Sequence, residues 1–232
     1  MQKIFERPLC IICGHYGSGK TNIAVNLALR AKELYPEKNV HIADIDIVNP
    51  YFRTADAASL LEKHSIEVLI PPFANTNVDI PSLPPKLVSL FDAGENELSF
   101  IDVGGDDGSI ALGMYRAAIS RAGYEMICVV NAYRPLIADP ADALECMREI
   151  EASSGLKCTG IINNSSLGAE TRAEDILESV EYAKKCAGIC ALPLLGHAYC
   201  PEYAPDTPEL FARSGLDGEV FIPIVNAIKK LY

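Results

Sequence analysis

The sequence predicts an α/β fold, with a mostly parallel, doubly wound sheet of about seven strands between two helical layers. Three observations predict it. Short apolar runs alternate with longer stretches of helical period, the runs are apolar throughout, and a glycine-rich turn joins the first run to the first helical stretch. Strands covered on both faces read in this way, whereas a sheet with one wet face alternates apolar and polar residues.

The expected strands are 9–13, 40–45, 67–70, 98–103, 126–130, 159–162 and 190–195. Between and after them, helices are expected at 21–34, 83–91, 110–122, 139–153, 172–187 and 218–231. Local punctuation supports several of these. Pro36 follows the first helix, Asp139 caps the fourth, Pro140 opens it and Gly155 ends it. Repeats and low-complexity linkers are missing from the sequence, so a single domain over 1–232 is expected. The proline-rich stretches at 71–72, 81–85 and 201–208 read as surface loops, and the last is long enough to face a partner.

Composition narrows the function. With 20 basic against 31 acidic side chains the net charge is −11, which repels nucleic-acid phosphates and anionic lipid heads. No nucleic-acid partner is expected, and a membrane is disfavoured. The first residues lack a secretory apolar core, so a cytoplasmic location is expected. In that compartment the eight cysteines are expected as free thiols. Cys10 and Cys13 have a CxxC spacing, but on a strand residues three apart point to opposite faces. Cys186, Cys190 and Cys200 form a second candidate cluster, open to a metallochaperone reading.

The turn after the first strand reads Gly14-His15-Tyr16-Gly17-Ser18-Gly19-Lys20-Thr21, a GxxxxGK[ST] pattern. Such a loop needs glycines because it wraps phosphate oxygens with inward backbone N–H groups, where Cβ atoms would collide. Lys20 supplies charge to the terminal phosphates, Thr21 offers a hydroxyl to Mg²⁺, and the following helix aims its positive end at the same point. Ser18 and Asn22 complete the expected phosphate-lining stretch, and the expected fold is that of a P-loop NTPase.

Two carboxylate groupings stand at other strand ends. Asp44 and Asp46 form a DxD pair on one strand face, and Asp102 ends an apolar run in Asp102-Val103-Gly104-Gly105. Carboxylates beside a triphosphate repel it unless a cation or a nucleophile justifies them. Asp44, Asp102 and Thr21 are therefore the candidate Mg²⁺ ligands. Gly105 fits a DxxG switch whose N–H touches the terminal phosphate.

The loop and these groupings resemble, in motif order over most of the chain, the deviant Walker A branch of P-loop ATPases known as MinD/ParA-like, which includes relatives of cobyrinic acid synthase. The resemblance implies that the second aspartate of the DxD, Asp46, orients the hydrolytic water and acts with Lys20 in catalysis. It also implies that an asparagine at the end of the strand near 160–162, either Asn163 or Asn164, reads adenine. In that branch a lysine five residues before the loop lysine reaches across a dimer; here the position holds His15. A homodimer built around that lysine is put in question.

The guanine-reading Asn-Lys-x-Asp element is absent from the sequence, which favours ATP. The primary expectation is a Mg²⁺-dependent ATP-binding protein and slow ATPase that switches a client protein, with 131–140 and 201–208 as candidate contact loops. The alternative is an ATP-dependent small-molecule kinase or ligase of the dethiobiotin or cobyrinic acid synthase kind. Arg53, Arg116 and Arg134 are the cations such a site would gather around an anionic second substrate.

Overall fold

The structure, a computed structural model, describes residues 2–45, 54–69, 85–92, 94, 96–216 and 218–227. Among these residues eight parallel strands form one sheet: β1 (Leu9–Cys13), β2 (Asn39–Asp44), β3 (Ile66–Leu69), β4 (Glu97–Asp102), β5 (Tyr124–Val130), β6 (Gly160–Asn163), β7 (Leu194–Tyr199) and β8 (Phe221–Pro223). Their order is β3-β2-β4-β1-β5-β6-β7-β8. From central β1 the chain winds outward to β2 and β3, returns with β4 against β1, and then builds β5 to β8 on the other side. Winding reverses beside β1, and a crevice forms beyond the carboxyl ends of strands at such a point.

Side-chain alternation along the strands divides the interior into two cores. Leu9, Ile11 and Cys13 pack on one face with Met126, Cys128 and Ile161, beneath α4 (Gly105–Met114), α5 (Arg116–Ala122) and α6 (Pro140–Ser154). Cys10 and Ile12 pack on the other with Ile42, Phe100 and Ile127, beneath α1 (Lys20–Leu34) and α2 (Thr54–Lys63). Cys10 and Cys13 therefore lie on opposite faces, as the strand period requires. The remaining helices are α3 (Pro85–Val88), α7 (Ala173–Cys190) and α8 (Thr207–Arg213).

The structure departs from the sequence reading in four places. The helix expected at 218–231 is, over its described part, the edge strand β8 followed by residues without helical structure. Pro223 fits there because the outer side of an edge strand asks no N–H of it. The seventh strand begins at Leu194 because α7 runs on to Cys190 and ends at Ala191 in a left-handed cap (φ 53°). The helix expected at 110–122 starts at Gly105 and breaks at Tyr115, whose ring packs 5.5 Å from that of Phe91. Finally, α2 and α8 lie in segments where no helix was expected; each hides a short apolar face, Ala57 with Leu61 and Phe211.

Candidate functional site

The loop between β1 and α1 is built so that only glycine fits at its closest approaches. Gly14 has φ 137°, and a Cβ there would stand 2.5 Å from the Val129 carbonyl oxygen of β5. Gly19 has φ 89°, and a Cβ there would meet the Asn164 side-chain amide. Both conformations disfavour L side chains, so shape and strain select glycine together. The loop closes on itself through Ser18 N–H donating to His15 O at 3.1 Å, while Lys20 Nζ donates to the same carbonyl at 3.1 Å. His15 turns its Nδ1 onto the neighbouring Tyr16 carbonyl at 2.8 Å.

Gly19 is the N-cap of α1, with no side-chain cap, and the first turn contains no acidic residue. The leading N–H groups of a 15-residue helix thus face the loop with their partial positive charge uncompensated by a side chain. Thr21 stands in that first turn, half-buried. Lys20 is only 8% exposed, which places its ammonium inside the loop rather than in solvent.

The acidic side of the site is set by strand register. Ile12 of β1 pairs with Asp102 of β4, and Asp102 pairs with Asp44 of β2. Parallel strands lie roughly 4.8 Å apart, so both carboxylates stand on adjacent strand ends next to the start of the loop. Both are buried. Gly105 opens α4 three residues beyond Asp102. Asp46 and Arg53 lie outside the described residues.

On the opposite side of β1 the structure separates two neighbouring asparagines. Asn164 donates Nδ2 to Ser18 O at 2.8 Å and braces the loop from the end of β6. Asn163 is turned into the interior: its Nδ2 meets Ser179 Oγ at 2.8 Å and His197 Nδ1 at 2.9 Å, and its Oδ1 accepts from Ser165 N and Oγ. Every hydrogen-bonding position of that amide is occupied, so of the two asparagines expected near a base Asn163 is the one engaged in the interior. Asn22 likewise spends its Oδ1 on Ala227 N at 3.1 Å, tying α1 to the chain after β8.

His197 continues the buried group, with Nε2 3.2 Å from Glu219, itself 2.9 Å from Lys184. Burial lowers the His197 pKa below its ordinary value, and Glu219 opposes that shift. Of the two described arginines expected near an anionic substrate, Arg116 packs against Gly155, away from the loop, whereas Arg134 packs against Gly17. The candidate cluster of Cys186, Cys190 and Cys200 does not come together. Cys186 and Cys190 belong to one face of the sheet and Cys200 to the other, and no group of metal-binding side chains forms among the described residues. Instead the sheet gathers Cys13, Cys128 and Cys158 beneath the loop, Cys13 and Cys158 with sulfurs 3.8 Å apart. Hydrogen bonding from Cys128 and Cys158, with full burial, pushes the Cys13 thiol up. Register between neighbouring strands, with Cys13 of β1 opposite Cys128 of β5, and not sequence spacing makes this cluster.

No family model matches the sequence, and no curated protein matches it. Solved structures do. FtsY from Mycoplasma mycoides superposes with a TM-score of 0.53 at 17% identity, over 83% of this chain and 61% of that one. Chloroplast FtsY from Physcomitrella patens gives 0.52 at 16% identity, over 83% and 58%. The fold is that of the P-loop NTPases. A chain of the MinC:MinD cell division complex of Aquifex aeolicus is also similar, with a TM-score of 0.47 and 16% identity over 89% and 86% of the two chains. This chain spans about three fifths of the two FtsY chains. Among its described residues, no helix is long and apolar enough to cross a membrane.

Proposed function

We propose that this chain binds a nucleoside triphosphate with Mg²⁺, hydrolyses it slowly and uses the bound state as a switch on a partner protein. One observation carries the reading: the N-terminus of α1, without a side-chain cap, opens into a loop where Gly14 admits no Cβ, Gly19 holds a left-handed φ and Lys20 is enclosed. An anion with several oxygens fits such a cradle. Thr21, Asp44 and Asp102 supply the hard oxygen donors that suit Mg²⁺, whose charge would offset that of the phosphates.

The roles of the chain's own groups follow. Lys20, now held on the His15 carbonyl, exchanges that neutral acceptor for phosphate oxygens, a stronger charge-assisted bond. Asp46 takes the water-positioning role implied by the resemblance. Gly105, at the start of α4 and following Asp102 closely, is placed to transmit the state of the terminal phosphate into that helix. ATP is the proposed nucleotide. Asn164 serves this site as a brace for the loop, and Asn163 as part of the interior.

The kinase or ligase alternative needs a basic pocket for its second substrate. Arg116 is held away from the loop against Gly155, so it contributes nothing to such a pocket. The test is phosphate release from MgATP and MgGTP, together with the oligomeric state in a non-hydrolysable analogue and in ADP. Slow release that prefers ATP, with an assembly that differs between the two nucleotides, supports the switch. Absence of release with either nucleotide overturns it, and release only in the presence of an acceptor metabolite supports the alternative.

A further inference from the structure

We infer that Arg134 is a second phosphate-contacting cation of this site, supplied by the same chain. The inference rests on the phosphate-site reading above and names a residue that the loop motif does not contain. The three heavy atoms closest to where a Gly17 Cβ would stand are Arg134 Nε, Cζ and Cδ, at 3.4, 3.5 and 3.7 Å. The guanidinium therefore lies against the middle of the phosphate loop, at a glycine with φ 76°.

Its electrostatic position is unusual. Among the described residues, the buried Arg134 Nε has no hydrogen-bond partner and no ion pair involves this side chain. A buried guanidinium donor without an acceptor costs free energy, and in a chain of net charge −11 carboxylate partners are abundant. An arrangement that leaves this donor unmatched beside an anion cradle is matched when an anion enters. Arginine suits phosphate in particular, because its planar fork addresses two oxygens and its charge is permanent.

The backbone that presents it is fixed. Arg134 N donates to Asn131 O at 3.2 Å, and Tyr133 N to Asn131 Oδ1 at 2.9 Å. Ala132 N donates to Ser165 Oγ at 2.9 Å, and the Tyr133 hydroxyl reaches the Asp175 carbonyl at 2.7 Å. Pro135 restricts Arg134 to the extended backbone it shows, φ −103° and ψ 115°. The segment after β5 is thus tied to the segment after β6 that also carries Asn164. With histidine at position 15, Arg134 gives the site a cation in addition to Lys20 without help from a second subunit.

The test is equilibrium binding of fluorescent ATP and GTP analogues with Mg²⁺ to the full chain, beside its melting temperature without nucleotide. Arg134→Gln is expected to weaken binding of the nucleotide that the wild type holds by at least about tenfold, a typical loss for one charge-assisted contact. Its nucleotide-free melting temperature should match the wild type. Arg134→Lys, which keeps the aliphatic stem against Gly17, should recover only part of the affinity because the fork is lost. Equal affinity for wild type and Arg134→Gln overturns the inference while leaving the phosphate site standing. Absence of binding by the wild type itself overturns both.

Discussion

The two sides of β1 contribute to the candidate site in different ways. Toward β4 and β2 the contribution is chemical: Asp102 and Asp44 in register, two oxygen donors at strand ends. Toward β5 and β6 it is mainly mechanical: the Val129 carbonyl fixes how closely Gly14 must pass and Asn164 holds Ser18, while Arg134, the proposed second cation, is the chemical exception on that side. The difference teaches that a phosphate loop needs walls as well as ligands. Substitutions on the two sides should therefore fail in different ways, the acidic side losing activity and the bracing side losing loop shape.

Gly14→Ala should produce the largest loss of stability. Its Cβ meets backbone that cannot yield, in a conformation L residues avoid, and the cost should reach about 3 kcal/mol or more in denaturant unfolding. By contrast, Asp102→Asn should lower Mg²⁺-dependent phosphate release about 100-fold or more, with a retained cooperative unfolding transition. A comparable loss of fold in both variants would erase the distinction between the sides.

Gly19→Ala sharpens the comparison further, since its obstacle is the Asn164 side chain rather than backbone. Alone it should cost about 2 kcal/mol. Asn164→Ala alone should cost about 1–2 kcal/mol through the lost bond to Ser18 O. Together they should cost less than the sum, because removing the amide clears the space the new methyl needs. Strict additivity would mean that Asn164 does not touch the loop in solution.

A smaller effect concerns pH. The His197 pKa is lowered by burial, so below about pH 6.5 the unfolded chain takes up a proton that the folded chain refuses. Its contribution to stability is complete above that pH and is lost as pH falls through the lowered native value. His197→Gln should flatten this part of the stability–pH curve, whatever its cost at neutral pH. The smallest effect is expected at Ala191, whose left-handed φ of 53° closes α7. Ala191→Gly should stabilise by about 0.5–1 kcal/mol, read from the urea midpoint.

Which parts were legible follows the same division. The loop, Asp44 and Asp102 announce themselves because short-range spacing and an apolar run define them. Arg134 and Asn164 follow separate strands, and only the adjacency of β5 and β6 to β1 brings them to the loop. The cysteine cluster under the loop is hidden for the same reason: Cys13, Cys128 and Cys158 share no spacing. In the fold, strands with continuous apolar runs were readable, whereas β8 was mistaken for a helix. Phe221, Ile222 and Pro223 form a segment too short for its period to decide between helix and strand. Asn163 and Asn164 are indistinguishable in the sequence, and only their surroundings separate them, since one amide meets a buried histidine and the other the loop.

The central claim is that the loop from Gly14 to Thr21 holds the phosphates of a nucleoside triphosphate, and thermal unfolding with and without Mg²⁺ and nucleotide tests it most directly. At nucleotide concentrations about 100 times Kd the melting temperature of the wild type should rise by roughly 5–10 °C. Lys20→Ala should melt close to the nucleotide-free wild type and show no such rise. A wild type whose melting temperature ignores MgATP and MgGTP alike, or a Lys20→Ala variant that responds as the wild type does, would contradict the account.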